Sequence, residues 1–144
     1  MDESLQKQLF EKYPKIFKIN NPKTCPLDQR GIECGSGWYN IIKCLMFEIQ
    51  SHVDKNNLPQ PECSQIKEKF GLLRIYTSNR DSHINFLLNN AEEDSINFCE
   101  KCGTEENVAQ NKSGYIETLC RFCRKKNNEV TVKYIAEQLE LFKD

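Results

Sequence analysis

The chain has 144 residues, a formal net charge of −1, 38% hydrophobic residues and 28% charged residues. This length suits one domain, or a small domain joined to a finger, and the lean apolar content predicts a modest core. A net charge near zero argues against whole-surface attraction to nucleic acid, although it permits a local basic patch. The sequence contains no apolar run of about 18 residues and starts with acidic residues, so we expect no membrane span, no signal peptide and a cytoplasmic location.

The first third of the chain predicts a helix, a loop and a second helix. Apolar residues at helical spacing predict a short helix over residues 3 to 13 that ends before Pro14. Residues 20 to 37 are rich in proline and glycine and predict a loop of about seventeen residues. Apolar residues then recur every three or four positions, which predicts a core helix over residues 37 to 54 with Ser36 as its N-terminal cap.

The middle of the chain predicts a hairpin and a third helix. Residues 64 to 77 are rich in β-forming residues, and Gly71 lies where a turn would separate two short antiparallel strands. Apolar residues over 80 to 97 predict another core helix, with Asp81 or Ser82 near its start. His52 and His83 are expected to be solvated helix residues.

Four cysteines in the last third have the spacing of a metal site. The order is C-x2-C, seventeen residues, C-x2-C, which is typical of two thiolate pairs around one tetrahedral zinc ion. Gly103 follows the first pair and allows the positive φ that a knuckle needs, while the second pair lies where a helix should begin. The sequence between the pairs predicts a hairpin, so we expect a treble-clef-like finger with one structural zinc. The predicted ligands are Cys99, Cys102, Cys120 and Cys123.

These elements predict an α+β fold, with a helix-rich domain and short antiparallel sheet over residues 1–98. The finger and a C-terminal helix would occupy residues 99–144 and pack with the first part as one unit. Val132, Ile135, Leu139 and Phe142 form a helical stripe that would either pack back on the domain or face a partner. The remaining cysteines, Cys25, Cys34, Cys44 and Cys63, are interpreted as free thiols, with a metal site built from Cys25 and Cys34 as the alternative.

A basic cluster follows the second cysteine pair. It could hold phosphates while Phe122 or Tyr115 stacks on a base, which would make the finger a nucleic-acid contact. The alternative is that these cations neutralise a four-thiolate zinc centre of formal charge −2. The cluster consists of Lys112, Arg121, Arg124, Lys125 and Lys126.

A second candidate site combines the glycine-rich segment 31–37 with the hairpin. Glycines there would let the backbone approach a ligand closely, and Glu33 could orient a substrate or bind a metal. In the structural alternative, Trp38 anchors the following helix and Glu33 pairs with a cation on the strands: Lys67, Lys69 or Arg74. The candidate residues for ligand binding or catalysis are Glu33, Trp38, Lys67, Glu68 and Arg74.

Three stretches together resemble a widespread family of small proteins encoded by tailed phages and prophages. They are the segment Gly31-Ile32-Glu33-Cys34-Gly35-Ser36-Gly37-Trp38-Tyr39, the segment from Ile66 to Tyr76, and the two cysteine pairs with Tyr115 to Leu119 before the second. The chain departs from the family pattern with Ser36 where the family has aspartate and Leu72 where it has a second glycine. The resemblance implies a phage or prophage setting and an accessory gene, without a particular activity.

A closed metal site without a complete catalytic set favours a non-enzymatic, zinc-stabilised binding protein. With the implied phage setting, we expect it to bind a host protein and to inhibit a bacterial defence or gene-expression complex. One alternative is a nucleic-acid-binding zinc-finger module. The other is a metal-dependent nuclease or another enzyme that uses the region of Glu33, Lys67, Glu68 and Arg74.

Overall fold

The computed structural model describes residues 1–18, 25–112 and 114–141. Their helices are α1 (Glu3–Lys12), α2 (Pro26–Arg30), α3 (Tyr39–Asn56), α4 (Ser82–Ser95) and α5 (Arg121–Leu141). Their strands form two antiparallel hairpins, β1 (Cys63–Lys69) with β2 (Leu72–Thr77), and β3 (Val108–Gln110) with β4 (Thr118–Cys120). The predicted α+β class with a small antiparallel sheet is confirmed. Among the described helices, none combines the length and the apolar character needed to cross a bilayer.

The main core is built around α3. Its apolar stripe is buried as predicted, since Ile42, Met46 and Ile49 have no exposed surface. Apolar residues three and four positions apart share one helix face, which is why the whole stripe reaches the core. The α4 helix packs against that face and against β2, the buried residues of all three elements belong to one apolar cluster, and Trp38 closes the core at the start of α3.

The β1–β2 hairpin turns at Phe70 and Gly71, where the sequence predicted it. Both residues have positive φ, 53° and 75°, and two such residues in a row match the right-handed twist of the strands. Glu33 adds a parallel bridge to the other side of β1. Its N–H donates to the carbonyl of Ile66 at 2.9 Å, and its carbonyl accepts from the N–H of Glu68 at 3.0 Å.

The predicted loop over residues 20–37 is wrong for its described part. Residues 26–30 form α2, because Pro26 fixes a helical φ at the first position and Gly31 ends the helix with a φ of 66°. A turn of 3-10 helix over Ser36–Trp38 then precedes α3. Ser36 makes no capping bond to α3, since its hydroxyl instead accepts the N–H of Asp2. Residues 19–24 lie outside the described part.

The expectation of a solvated histidine is wrong for His52. Its side chain is only 18% exposed, and its Nε2 lies 2.7 Å from a carboxylate oxygen of Asp81. Asp81 also caps α4 as expected, accepting the N–H of Ile84 at 2.8 Å. The two contacts hold the pKa of Asp81 below its usual value. His83 is exposed, with its ring 4.3 Å from that of His52.

The last helix does not pack back on the described part of the domain. Val132, Ile135 and Leu139 are 66%, 50% and 61% exposed. Phe142, the last member of the predicted stripe, lies outside the described residues. Of the two alternatives for this stripe, the described residues therefore match the one in which it remains free for a partner.

Candidate metal centre

The fold brings the two cysteine pairs together. The Sγ atoms of Cys99, Cys102, Cys120 and Cys123 all lie within 4.8 Å of one another, and those of Cys102 and Cys120 are 3.7 Å apart. A tetrahedral zinc ion with Zn–S bonds of about 2.3 Å holds its sulfurs about 3.8 Å apart. The quartet therefore fits a single metal ion of this size and preference for thiolates.

The first pair lies on a knuckle whose backbone faces the sulfur. The carbonyl of Cys99 accepts the N–H of Gly103 at 2.8 Å, and Gly103 takes the positive φ expected there, 78°. Burial alone would raise the pKa of Cys99, but N–H groups of Cys102, Cys120 and Lys101 outweigh it and lower that pKa to about 7. Backbone donors of this kind favour the thiolate, which is the form that binds metal.

The second pair joins β4 to α5. Cys120 is the last residue of β4, and its sulfur accepts the N–H of Cys123 in the first turn of α5 at 3.4 Å. A helix N-terminus favours a thiolate because its unpaired N–H groups carry partial positive charge. Burial and hydrogen bonds with the neighbouring thiols raise the pKa of Cys123 to about 12. A divalent cation bound between the sulfurs would favour their thiolate form.

The glycine-rich segment supports the knuckle. The N–H of Gly37 donates to the carbonyl of Glu100 at 2.7 Å, and the N–H of Gly35 donates to its carboxylate at 3.0 Å. A Cβ on Gly37 would lie 2.6 Å from both the Glu100 oxygen and the Gly103 nitrogen. The structure therefore explains Gly35 and Gly37 by close contact between two segments of the chain, where the sequence suggested close approach to a ligand.

Trp38 acts as the structural anchor that the sequence suggested. Its side chain is fully buried, and its indole N–H donates to the carbonyl of Phe98 at 3.0 Å. Phe98 directly precedes the first metal-site cysteine. The same residue thus closes the core at the start of α3 and fixes the chain that enters the knuckle.

A second contact joins the β1–β2 turn to the finger hairpin. The carbonyl of Gly71 accepts hydrogen bonds from the Thr118 hydroxyl at 2.5 Å and from the Gln110 amide at 3.3 Å. The carboxylate of Glu68 accepts from the N–H of Gly71 and from the hydroxyl of Tyr115. That carboxylate raises the pKa of Tyr115 to about 12, because it holds the phenol proton.

The candidate catalytic residues point to separate partners. The Glu33 carboxylate pairs with Arg30 at 3.4 Å, where the structural alternative predicted a cation on the strands. Arg30 is within reach because Glu33 comes only three residues after this last residue of α2. The Lys67 ammonium lies 5.8 Å from the centre of the Tyr76 ring. Arg74 binds Glu92 on α4, and Glu68 holds the turn of the hairpin. The structure places each of these side chains in a different structural contact.

The basic cluster is partly structural and partly exposed. The Arg124 guanidinium donates to the carbonyls of Ala109 and Leu119, so it ties α5 to the finger hairpin. Arg121 and Lys125 instead line a shallow depression of about 380 Å³ beside the metal centre, with Phe122 74% exposed between them. Lys112 and Lys126 are also exposed.

The other four cysteines are free thiols, as expected. Cys34 and Cys63 are buried, and burial raises the pKa of each thiol to about 12. Cys25 is half-buried and Cys44 is exposed. Across the described ranges, the only set of three or more metal-binding side chains that lies close enough to share an ion is the C-terminal quartet. The alternative of a metal site at Cys25 and Cys34 is therefore not supported.

A groove between α3 and α4 was missed by the sequence reasoning. It has a volume of about 460 Å³, and its apolar lining includes Ile41, Leu45 and Phe86. Phe86 is 57% exposed, and Phe47 on the neighbouring face of α3 is 61% exposed. The available signal was that both phenylalanines fall outside the buried stripes of their helices.

Comparisons of the chain with protein-family models, with curated proteins and with solved structures found no match.

Proposed function

We propose that the quartet binds one zinc ion and that the ion has a structural role. Support comes from the order of knuckle, hairpin and helix N-terminus, which is the order of a treble-clef-like finger. Four thiolates fill a tetrahedral shell, so no position remains for a reacting water or substrate. Zinc would then stabilise the fold of residues 99–123 without activating a nucleophile.

We further propose that the protein is non-enzymatic and works by binding another protein. The observation that carries this proposal is the apolar groove between α3 and α4 with exposed Phe86 at its edge. Exposed apolar patches with polar rims mark protein-binding sites. Glu48 and Asp94 lie on the rim, so the groove suits a partner segment with an apolar side chain flanked by a basic residue.

The resemblance to phage and prophage proteins supplies the setting of this proposal. The partner would be a host protein in the bacterial cytoplasm, belonging to a defence or gene-expression complex that the protein inhibits. Inhibition by docking requires a stable surface and a shaped contact, and it requires no catalytic residue. The separate structural contacts of Glu33, Glu68 and Arg74 are consistent with that requirement.

A capture experiment tests the binding function. The full chain is used as bait in bacterial lysate, with and without nuclease, and bound proteins are identified by mass spectrometry. We expect one stoichiometric protein in both conditions, lost with Phe86→Asp and retained with Phe70→Asp. Phe70 is the matched control because it is also exposed, at 67%, but lies on the β1–β2 turn. Capture that needs nucleic acid, or that survives Phe86→Asp, would contradict the proposal.

A second candidate function is nucleic-acid binding at the exposed end of the basic cluster. The observation that favours it is exposed Phe122 beside Arg121 and Lys125, because an aromatic ring between cations can stack on a base near phosphates. Fluorescence anisotropy with short single-stranded DNA and RNA tests it. Binding should weaken steeply with salt and be lost in Arg121→Ala/Lys125→Ala, whereas Lys43→Ala, on α3, should have no effect.

A further inference from the structure

The distal part of α5 lacks the apolar contacts that usually stabilise a helix. The whole helix spans 21 residues, and the exposed apolar side chains of its distal part include Val132, Ile135 and Leu139. Two ion pairs along the helix, Lys125–Glu129 and Lys133–Glu137, contribute only about 0.3–0.5 kcal/mol each. An isolated helix with this composition is marginal in water, since most helical stability comes from packing of an apolar face.

The exposed face has the geometry of a coiled-coil seam. We define the α5 seam as Asn128, Val132, Ile135 and Leu139, whose spacing of four, three and four residues is that of alternating heptad positions. A shallow depression of about 410 Å³ lies alongside the seam and shares Asn128 and Val132 with it. Its lining follows the i, i+3, i+4, i+7 arrangement that receives a side chain from a facing helix: Lys125, Asn128, Glu129, Val132, Lys133 and Ala136.

The charges of α5 indicate which helix would face it. The first six residues carry four positive charges, at Arg121, Arg124, Lys125 and Lys126. The following part carries three negative charges and one positive charge, at Glu129, Glu137, Glu140 and Lys133. Two copies of α5 side by side in the same direction would place like charges together. In opposite directions, the basic end of each copy would lie against the acidic end of the other.

We propose that two copies of the chain pair through their α5 seams as an antiparallel coiled coil. Val132 of each copy lies opposite Ile135 of the other, and Asn128 lies opposite Leu139. This register places Lys126 within one turn of Glu140 on the second copy. The contact spans about two heptads, so it belongs with small, reversible interfaces. The pairing does not depend on the proposed protein-binding function, because the groove lies between α3 and α4.

Sedimentation equilibrium of the metal-loaded full chain tests the pairing. We expect the mass to rise from 16.9 kDa toward twice that value as the concentration increases from about 1 to about 500 μM. Val132→Asp should remain monomeric throughout. Val130→Asp is the matched control, since Val130 is 63% exposed on the same helix but lies off the seam. Wild-type protein that remains monomeric, or equal loss of pairing in both variants, would overturn the proposal.

The direction of the two helices can be tested separately by charge reversal. Lys125→Glu/Lys126→Glu should weaken pairing at least tenfold, and adding Glu137→Lys/Glu140→Lys to the same chain should restore it. A parallel pair would have similar affinity in all three proteins, which would overturn the antiparallel arrangement. If the wild-type chain is monomeric and Val132→Asp instead abolishes capture of a lysate protein, the seam serves that partner. The dimer would then be rejected while the proposed binding function stands.

Discussion

The region before the first metal-site cysteine and the finger are stabilised in different ways. The first region buries a continuous apolar cluster of twenty residues from its helices and its hairpin. In the described part of the finger, the buried apolar cluster has four residues, and three of them are the thiols of Cys99, Cys120 and Cys123. Apolar burial can account for the stability of the first region, whereas the finger has almost no apolar surface to bury. The comparison teaches that a thiol quartet able to hold a metal ion takes the place in the finger that a hydrophobic core has in the first region.

Two of the contacts between the regions are made at glycines. Gly37 lies against the knuckle, and Gly71 accepts hydrogen bonds from the finger hairpin. A Cβ on Gly37 would collide with the knuckle backbone, 2.6 Å from the carbonyl oxygen of Glu100. A Cβ on Gly71 would meet side chains, the nearest being the Gln110 amide at 2.7 Å, and Gly71 also has a positive φ of 75°. The finger is therefore held against the first region by a close backbone contact at Gly37 and by side-chain hydrogen bonds to the carbonyl of Gly71.

Removal of one thiol should have the largest effect and should separate the two regions. Structural zinc binding contributes about 10–16 kcal/mol in finger peptides at pH 7, so Cys102→Ser should release the metal and unfold residues 99–123. Amide hydrogen exchange should show lost protection there and retained protection in α3. Cys44→Ser is the control, since Cys44 is an exposed thiol outside the quartet. A Cys102→Ser protein with unchanged metal content and melting temperature would refute the structural role of the ion.

A methyl group at Gly37 should disturb the contact between the regions. Gly37→Ala forces the turn before α3 and the knuckle apart. We expect a loss of about 3 kcal/mol in the free energy of unfolding. Gly114→Ala is the comparison variant. It has no atom within 4 Å of the added Cβ, so only its positive φ of 76° opposes alanine, at about 1 kcal/mol. Urea denaturation measures both, and equal losses would show that the contact at Gly37 is not tight.

A smaller change at Trp38 tests how the core orients the knuckle. Trp38→Phe keeps most of the apolar volume but removes the N–H that binds the carbonyl of Phe98. We expect a loss of about 2 kcal/mol, from a small cavity and an unpaired buried carbonyl. Phe47→Leu, at a residue 61% exposed, should change stability little. Circular dichroism should follow unfolding, because Trp38 is the chain's one tryptophan and its replacement removes the tryptophan fluorescence signal. Similar stability in both variants would argue against the anchor role of Trp38.

Elements with a strong local pattern could be predicted from the sequence. The α3 stripe, the strands on either side of Gly71 and the spacing of the cysteines each follow from a period or a motif. Residues 31–37 could not be interpreted in this way. Gly35 and Gly37 contact a knuckle that lies more than sixty residues later in the chain. The local sequence therefore does not distinguish a ligand loop from a contact between two backbone segments.

Side-chain partners were the least predictable feature. The sequence suggests that His52 is a surface residue of α3, but its side chain contacts Asp81, the cap of α4, which lies 29 residues later in the chain. Glu33 was expected to pair with strand cations and instead binds Arg30, in a helix that the sequence did not reveal. The exposed groove at Phe86 depends on how α3 and α4 are inclined, which hydrophobic periodicity does not specify.

The smallest effect is expected at the hydrogen bond between Tyr115 and Glu68, which also links the two regions. The bond holds the phenol proton, so its stabilisation is complete below the ordinary tyrosine pKa of about 10 and is lost as the pH rises through about 12. Tyr115→Phe should cost about 0.5 kcal/mol at neutral pH, since both groups are exposed to solvent.

Absorbance at 295 nm as a function of pH isolates this bond. The difference between wild type and Tyr115→Phe should show one phenol that ionises near pH 12, and the same difference in a Glu68→Gln background should shift toward pH 10. Tyr134→Phe, which removes an exposed phenol on α5, is the control for the loss of one chromophore. Because Glu68 belongs to the first region and Tyr115 to the finger, the shifted titration requires that the two regions remain in contact. Ionisation near pH 10 in the wild type would show that the hairpins separate in solution while each keeps its own structure.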